Sequence, residues 1–558
     1  MSARVKTVSN SRVTAHLARL DATALSSGVT QRKAQGSHYT PSALVEFVVR
    51  ETLHELAVEP RNVLDPSCGN GNFLVAAAVA IVALGERTMA EVLERAVFGV
   101  DIDSVAIELC RAELLALLPT DTLPTTRTRV KRALASHIRC ADAFTIDLRA
   151  FSGSDGFDLV LGNPPFLNQL ATATAATRAR AALIARLTDG AVRRYADLAA
   201  AFLHVALAAT RAHGRLGCVM PQSYLASSDA KGARDAALAR ASLRLVWSCR
   251  ETLFADASVR VCAVVLERDG VNNAAKDRVV RCAFGADFQP SPSCQQPTTN
   301  DPTWSHLLAE GFGAPACVAS LHSRATLDSI AFATADFRDQ YYGLRGAIVA
   351  REHAVDATHP KLLTTKHIEL AESIWGCVDA KILGAIFRHP RVDRATLERD
   401  SKLSAWIASR LVPKVLVATQ TRVIEAFVDE EGGALPLVPL LTVTARNSAD
   451  IWMVAAAVAS PIIAARAVAL YSGSAMSAGA IKLSAKQLLA MPLPSVEPAW
   501  RESAREFEAA SRATDHATRE QHLRSFACAS CLAHALNERD ITAVMTFWND
   551  RRAGKIKQ

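Results

Sequence analysis

From residue 36 to about residue 288, short apolar runs alternate with longer alanine-rich stretches. Val97-Phe98-Gly99-Val100, Phe157-Asp158-Leu159-Val160-Leu161-Gly162 and Val259-Arg260-Val261-Cys262-Ala263-Val264-Val265-Leu266 have the length of strands, as does Val279 to Phe284. A nearly unbroken apolar run suits a strand covered on both faces. Phe73 to Leu84 has the length and composition of a buried helix. This alternation predicts an α/β domain built on a doubly wound sheet. Ala283 to Trp304 is polar and rich in Pro, Gln, Thr and Asn, and reads as an interdomain linker at 289–304. Beyond it the pattern is less regular. Tyr341-Tyr342-Gly343-Leu344-Arg345-Gly346 reads as an exposed, aromatic and basic loop, and Arg410 to Val417 as a strand.

The chemistry sits where the predicted strands end. Asn62-Val63-Leu64-Asp65-Pro66-Ser67-Cys68-Gly69-Asn70-Gly71-Asn72-Phe73 reads as strand, glycine-punctuated turn and helix. Two glycines allow a sharp turn and a close approach of backbone to a ligand. Asp65 would repel a pyrophosphate but suits an ammonium group. Asp101-Ile102-Asp103 ends the next strand, where an acid can accept both hydroxyls of a ribose. Ala141-Asp142-Ala143-Phe144 follows a third strand and offers one acid and one ring to an adenine. After Gly162 comes Asn163-Pro164-Pro165-Phe166. Two prolines remove two backbone donors and fix φ, so carbonyls are left without a ladder partner. An amide carbonyl and a backbone carbonyl can then accept both hydrogens of one –NH2, with an aromatic face beside them.

Taken together, these motifs resemble an N6-adenine DNA methyltransferase of bacterial restriction–modification systems, in the gamma order of motifs. Gly36-Ser37-His38-Tyr39-Thr40-Pro41 is similar to the family's N-terminal motif, and the resemblance implies that Tyr39, Thr40 and Pro41 contact the methionine part of S-adenosylmethionine. It further implies cofactor contacts from Asp65, Pro66, Cys68, Gly69, Gly71 and Phe73, a ribose contact from Asp101 with Ile102, and an adenine contact from Asp142, Ala143 and Phe144. Asn163, Pro164, Pro165 and Phe166 match the catalytic tetrapeptide, and Phe254 the aromatic placed against the target base, so that Phe166 and Phe254 would sandwich it. Tyr195-Ala196-Asp197-Leu198 with Phe202, and Gly214 to Pro221, are similar to a family helix and its fifth strand. The implied fold is a Rossmann-like S-adenosylmethionine-dependent methyltransferase sheet over 36–288, followed at 305–558 by a mixed α/β target-recognition domain. His38 and Asn70 depart from the usual pattern, and Ala143 separates Asp142 from Phe144.

Composition agrees with this reading. The 558 residues are 50% hydrophobic, enough for a large core, and carry a net charge of +8. That excess is compatible with a polyanionic partner. Residues 1–35 form a basic arm, with Arg4, Lys6, Arg12, Arg19, Arg32 and Lys33 against Asp21. Arg551-Arg552 and Lys555 end the chain in the same sense. The expected partner is double-stranded DNA, with a cognate restriction nuclease or another defence-system protein beside it. No stretch of 18 apolar residues lacks charge, so no membrane partner and a cytoplasmic site are expected. The 12 scattered cysteines suggest reduced thiols. Cys528 and Cys531 with His534 have metal-ligand spacing, but without a second pair a helix-borne structural pair is the better reading and no metal is expected. Other readings are a methyltransferase acting on RNA or on a protein glutamine, a non-enzymatic DNA-binding protein, and a fused nuclease. The last would use one of the Asp-x-Lys triplets at Asp229, Asp379 or Asp400.

Overall fold

The computed structural model describes residues 40–556 apart from 57–58, 86, 167–174, 193–197, 255–258, 271–278, 320, 322, 324, 337, 353–357, 398–399, 419 and 474–478. The basic arm, Tyr39 and Tyr195-Ala196-Asp197 lie outside the described residues. The chain forms two compact units, Met1–Gly311 and Phe312–Gln558.

The first unit is built on a nine-stranded sheet in the order β3-β2-β1-β4-β5-β7-β6-β8-β9. Its strands are β1 (Val63–Asp65), β2 (Val97–Asp101), β3 (Ile138–Cys140), β4 (Phe157–Gly162), β5 (Thr210–Pro221), β6 (Ala241–Ser248), β7 (Val261–Arg268), β8 (Val280–Phe284) and β9 (Gln289–Cys294). The five strands from β3 to β5 run parallel, and β7 enters antiparallel between β5 and β6. Every residue of β1 and β4 is buried, as expected of strands covered on both faces. The strand order reverses between β1 and β4. In an open α/β sheet the crevice beyond the carboxyl ends of such a pair is where ligands bind.

Three helices matter for that crevice. Helix α1 (Ser42–Leu53) packs Leu44, Val45, Phe47 and Val48 into the same core as Trp247 and Val265. Its C-terminal end is held from β5, where buried Arg215 donates to the carbonyls of Thr52 at 3.2 Å and Glu55 at 3.3 Å and pairs with Glu267 at 3.1 Å. A cation against the last carbonyls of a helix satisfies orphan acceptors and favours its dipole. Helix α2 (Asn72–Ala83) follows the glycine turn and is apolar on most of its surface, with Phe73, Leu74 and Val75 buried. Helix α3 (Ser104–Ala116) follows β2 and is capped by Asp103, which accepts from Val105 N and Ala106 N.

The segment 289–304, expected as a free linker, instead begins with β9, which pairs antiparallel with β8 at the rim of the sheet. Pro290 and Pro292 gave it the look of a loop, yet an edge strand tolerates residues without an N–H. The division between units falls at 311 and 312.

The second unit holds an antiparallel sheet of Ala331–Ala335, Leu441–Ala445, Lys414–Ala418 and Glu425–Asp429 in that order. It also holds a second four-stranded sheet of shorter strands and three long helices, Glu497–Arg512, His516–Ala533 and Glu538–Ile556. Two expectations change here. Tyr341 and Tyr342 lie on a short helix, Arg338–Gly343, not a loop, and Tyr341 Oη accepts from Leu383 N at 3.1 Å. Arg410 ends a helix, Ser401–Arg410, and the strand starts only at Lys414. Arg552 pairs with Glu520 and Arg551 donates to the Arg422 carbonyl, so this basic end is tied into its own unit. No single helix among the described residues is long and apolar enough to cross a membrane.

Candidate functional site

Two acids and one amide converge beyond the carboxyl ends of β1, β2 and β4. Asp65 ends β1 and is buried, with Oδ1 accepting Ser67 N at 2.9 Å. No ion pair joins it among the described residues. Burial pushes its carboxyl up to about 8, because the charged form is poorly solvated there. Asp101 ends β2. Its Oδ2 accepts Gly69 N at 2.8 Å and its Oδ1 accepts Asp103 N at 2.9 Å. Burial raises its pKa as well, against the lowering effect of these backbone donors.

The turn between Asp65 and α2 needs its glycines. Gly71 has φ +96°, and a Cβ there would lie 2.8 Å from Cys110 Sγ. Gly69 has φ +51°, and nothing stands within 4 Å of a Cβ built on it, so one side of the turn is open. Cys68 is buried, and a hydrogen bond with Cys110 is the main cause holding its thiol well above the ordinary range, with burial next. Phe73 faces the core from α2, so it supports the turn from behind.

Asn163 follows β4 directly, and its Nδ2 donates to Thr40 Oγ1 at 2.8 Å across 123 residues of chain. Thr40 precedes α1 and is 5% exposed. The sequence placed the two residues in separate motifs, and nothing in it signalled that they touch. Gly162 lies so near Asp65 that a Cβ would come within 2.8 Å of Oδ1. Pro164 is buried and lines a narrow crevice with Pro66, Ser67 and Gly162. Phe166 packs against the apolar cluster that contains buried Phe254, so the two candidate stacking rings share one cluster.

The adenine-side residues are arranged differently from expectation. The Phe144 ring is 3% exposed and lies edge-on to Phe202 at 4.6 Å, which takes it into the core rather than presenting a free face. Asp142 Oδ1 accepts Phe144 N at 3.0 Å, and Oδ2 pairs with Arg180 at 2.9 Å. The Arg180 guanidinium also sits 5.3 Å from the Phe144 ring centroid. Arg180 was not singled out from the sequence, since an arginine on a helical stretch carries no local signal. Ile102, beside the candidate ribose acid, is 62% exposed and is the apolar surface available there.

These groups fit S-adenosylmethionine. A buried acid without a cation suits its ammonium, an acid over an open glycine turn suits a ribose, and Ile102 with Asp142 suits a purine face and edge. No group of three or more His, Cys, Asp or Glu among the described residues has the arrangement of a metal site. Of the Asp-x-Lys triplets, Lys231 pairs with Asp235, Asp379 with Arg388 at the surface, and Asp400 caps the helix Ser401–Arg410.

Strand order, glycine turn and strand-tip acids together form an open α/β sheet with a ligand crevice beyond the carboxyl ends of β1 and β4. Residues 25–301 match the N-6 DNA Methylase family. Among solved structures it is similar to a modification subunit of a putative type I restriction enzyme from Vibrio vulnificus, at 21% identity, 48% coverage of this chain, 50% of that one, and TM-score 0.34. A putative class I methyltransferase from Listeria monocytogenes gives 16% identity, 48% and 68% coverage, and TM-score 0.30. The type IIG restriction endonuclease BpuSI gives 13% identity, 93% and 67% coverage, and TM-score 0.39. The match spans half the length of the Vibrio subunit.

Proposed function

We propose that this chain transfers a methyl group from S-adenosylmethionine to N6 of adenine in duplex DNA, within a restriction–modification or related phage-defence system in the cytoplasm. The observation that carries the reading is the Asn163 amide, held by Thr40 at the end of β4, one residue after Gly162, whose backbone lies against buried Asp65. Asp65 would hold the cofactor's ammonium, Asp101 its ribose, and Ile102 and Asp142 its adenine. The cofactor supplies an electrophilic methyl group on a sulfonium.

The target adenine is out of reach within a duplex, so it is flipped at a cost of a few kcal/mol. Stacking on aromatic rings returns about 1–3 kcal/mol per base in single-strand binders, and partly buried Phe166 would supply it here, with Phe254 able to share it only by turning out of the core. The Asn163 side-chain carbonyl and the Pro164 backbone carbonyl accept the two N6 hydrogens. The amino lone pair then leaves ring conjugation and points at the methyl carbon. Holding the two reactants in line supplies much of the acceleration. Residues 312–558 would read the DNA sequence, and a cognate nuclease or other defence protein is the expected associate.

Transfer of labelled methyl to duplex DNA, with RNA and protein extract as parallel acceptors, tests this. Label in N6-methyladenine that disappears with Asn163→Ala is the expected result. Label only in RNA or protein would overturn the DNA assignment, and DNA cleavage by the pure chain would favour a fused enzyme.

A further inference from the structure

Two of the 12 cysteines face each other across the last two strands of the first unit's sheet. Val280 on β8 is opposite Cys294 on β9, and Cys282 is opposite Ser291. The register shifts between these two pairs, so β9 carries one extra residue there and bulges. Side chains alternate in face along a strand, so Cys282 shares the face of Val280 and stands diagonal to Cys294. Their sulfurs are 3.7 Å apart, with the Cys282 thiol donating to Cys294 Sγ. A disulfide needs about 2.05 Å, a gap that rotation of the two side chains closes. The thiols differ in access: Cys282 is 4% exposed, whereas Cys294 is only half-buried. Cys68 and Cys110 also form a hydrogen-bonded pair, but both of those are buried.

We propose that Cys282 and Cys294 form a reversible oxidation site whose oxidant is a hydroperoxide, with Cys294 as the reacting thiol and Cys282 as the resolving one. The site is independent of the methyl transfer proposed above. The Cys294 thiolate attacks one peroxide oxygen. An S–O bond forms, the O–O bond breaks, and the other oxygen leaves as hydroxide or alkoxide. The Cys282 sulfur then attacks Cys294 Sγ, the S–O bond breaks, and the Cys282 proton departs with the oxygen as water. Two electrons pass from the sulfurs to the peroxide, and external thiols reverse the bond. The hydrogen bond from Cys282 pulls the Cys294 thiol down to about 7, against burial and the carboxylate of Glu310, so roughly half of it is thiolate at neutral pH. The same bond, with burial, pushes Cys282 up, so it keeps the proton that the second step needs. Thiolate character and access together decide which cysteine a peroxide oxidises. Cys218 and Cys262 have neither, since both are buried and burial raises both. The product fastens rim strand β9 to β8 and draws Cys294 Sγ away from the Leu307 carbonyl, which it approaches at 3.5 Å in the reduced chain.

The test exposes the folded full chain to hydrogen peroxide, blocks the remaining thiols with N-ethylmaleimide and maps the peptides by mass. The first product should join the peptides that carry Cys282 and Cys294, at a mass lower by two hydrogens, and dithiothreitol should return both thiols. Its rate of formation should rise with pH and level off above about 7. In Cys282→Ser the sulfenic acid on Cys294 has no resolving thiol, so dimedone should label it severalfold more than in the wild type. Cys294→Ser should leave Cys282 unoxidised. Oxidation of Cys140 or Cys377, both exposed, ahead of Cys294 overturns the proposal. Equal dimedone labelling of Cys294 in the wild type and in Cys282→Ser overturns it as well. The wild-type map needs no substitution, so it decides the matter even where a variant fails to fold.

Discussion

Asp101 accepts the backbone N–H of Gly69 at 2.8 Å, so the acid at the tip of β2 is also the group that closes the turn after β1. A carboxylate has about four lone-pair positions, and two remain for ribose hydroxyls once Gly69 and Asp103 are served. Asp101→Asn keeps the shape but turns an –NH2 toward one of those donors. It should weaken S-adenosylmethionine binding by roughly tenfold to a hundredfold, the range of a charge-assisted hydrogen bond. Asp101→Ala should lose at least as much and lower the melting temperature too. Calorimetric affinities check this, and unchanged binding in both variants would remove Asp101 from the site.

Asp65 makes the cofactor affinity depend on pH. Its folded pKa of about 8 lies above the ordinary 3.8. The group's favourable effect on folding is therefore complete below pH 3.8 and is lost as pH rises through about 8. Asp65→Asn should flatten that part of the stability profile. An ammonium requires the carboxylate, so binding at pH 7 should release a proton, and affinity should climb by up to about tenfold per pH unit toward pH 8. Titration calorimetry in two buffers of different ionisation enthalpy reads the proton directly. No release would mean that Asp65 does not hold the ammonium.

Gly71→Ala should damage the turn in two separable ways. The new Cβ meets Cys110 Sγ at 2.8 Å, and φ +96° is strained for any L side chain. A loss of more than about 1 kcal/mol is expected where alanine is forced to positive φ. Cys110→Ala in the same chain should relieve the crowding but not the strain. Partial recovery of stability in a double-mutant cycle is the expected reading, and full recovery would mean that φ costs little here.

Lys414 is fully buried and pairs with Asp429 at 2.5 Å, while Asp429 also accepts Gly433 N at 3.1 Å and Ala434 N at 3.0 Å. Burial lowers the Lys414 pKa despite its partner. Removing one member of such a pair strands the other, at a cost of roughly 3–5 kcal/mol. Lys414→Met should destabilise the second unit by about that much in denaturant titrations. Lys414→Met with Asp429→Asn, which removes the stranded charge but keeps an acceptor for Gly433 N and Ala434 N, should recover part of it, and equal loss in single and double variants would show that packing, not charge, is at stake.

The strands that carry the site were legible because parallel strands buried on both faces announce themselves as unbroken apolar runs, and their chemistry follows immediately in chain. Asp65, Asp101 and Asn163 each sit where such a run stops. What stayed hidden depends on contacts between distant segments. Thr40 and Asn163 meet across 123 residues. Phe144 turns inward because Phe202, from a helix well downstream, offers its ring an edge. The strand at 289–294 was masked by its prolines, and the helix at 338–343 by its glycine and paired tyrosines. In each case local composition and tertiary packing pulled in different directions, and packing won.

The proline-bearing rim strand has a last consequence, for how copies of this protein meet. An open sheet invites a neighbouring chain to zip onto its exposed backbone. Here one border is β3, only three residues long, and the other is β9, where Pro290 and Pro292 offer no donor to an arriving strand. Both borders are therefore poor templates for strand addition, and the outermost residues of the wide sheet disfavour aggregation.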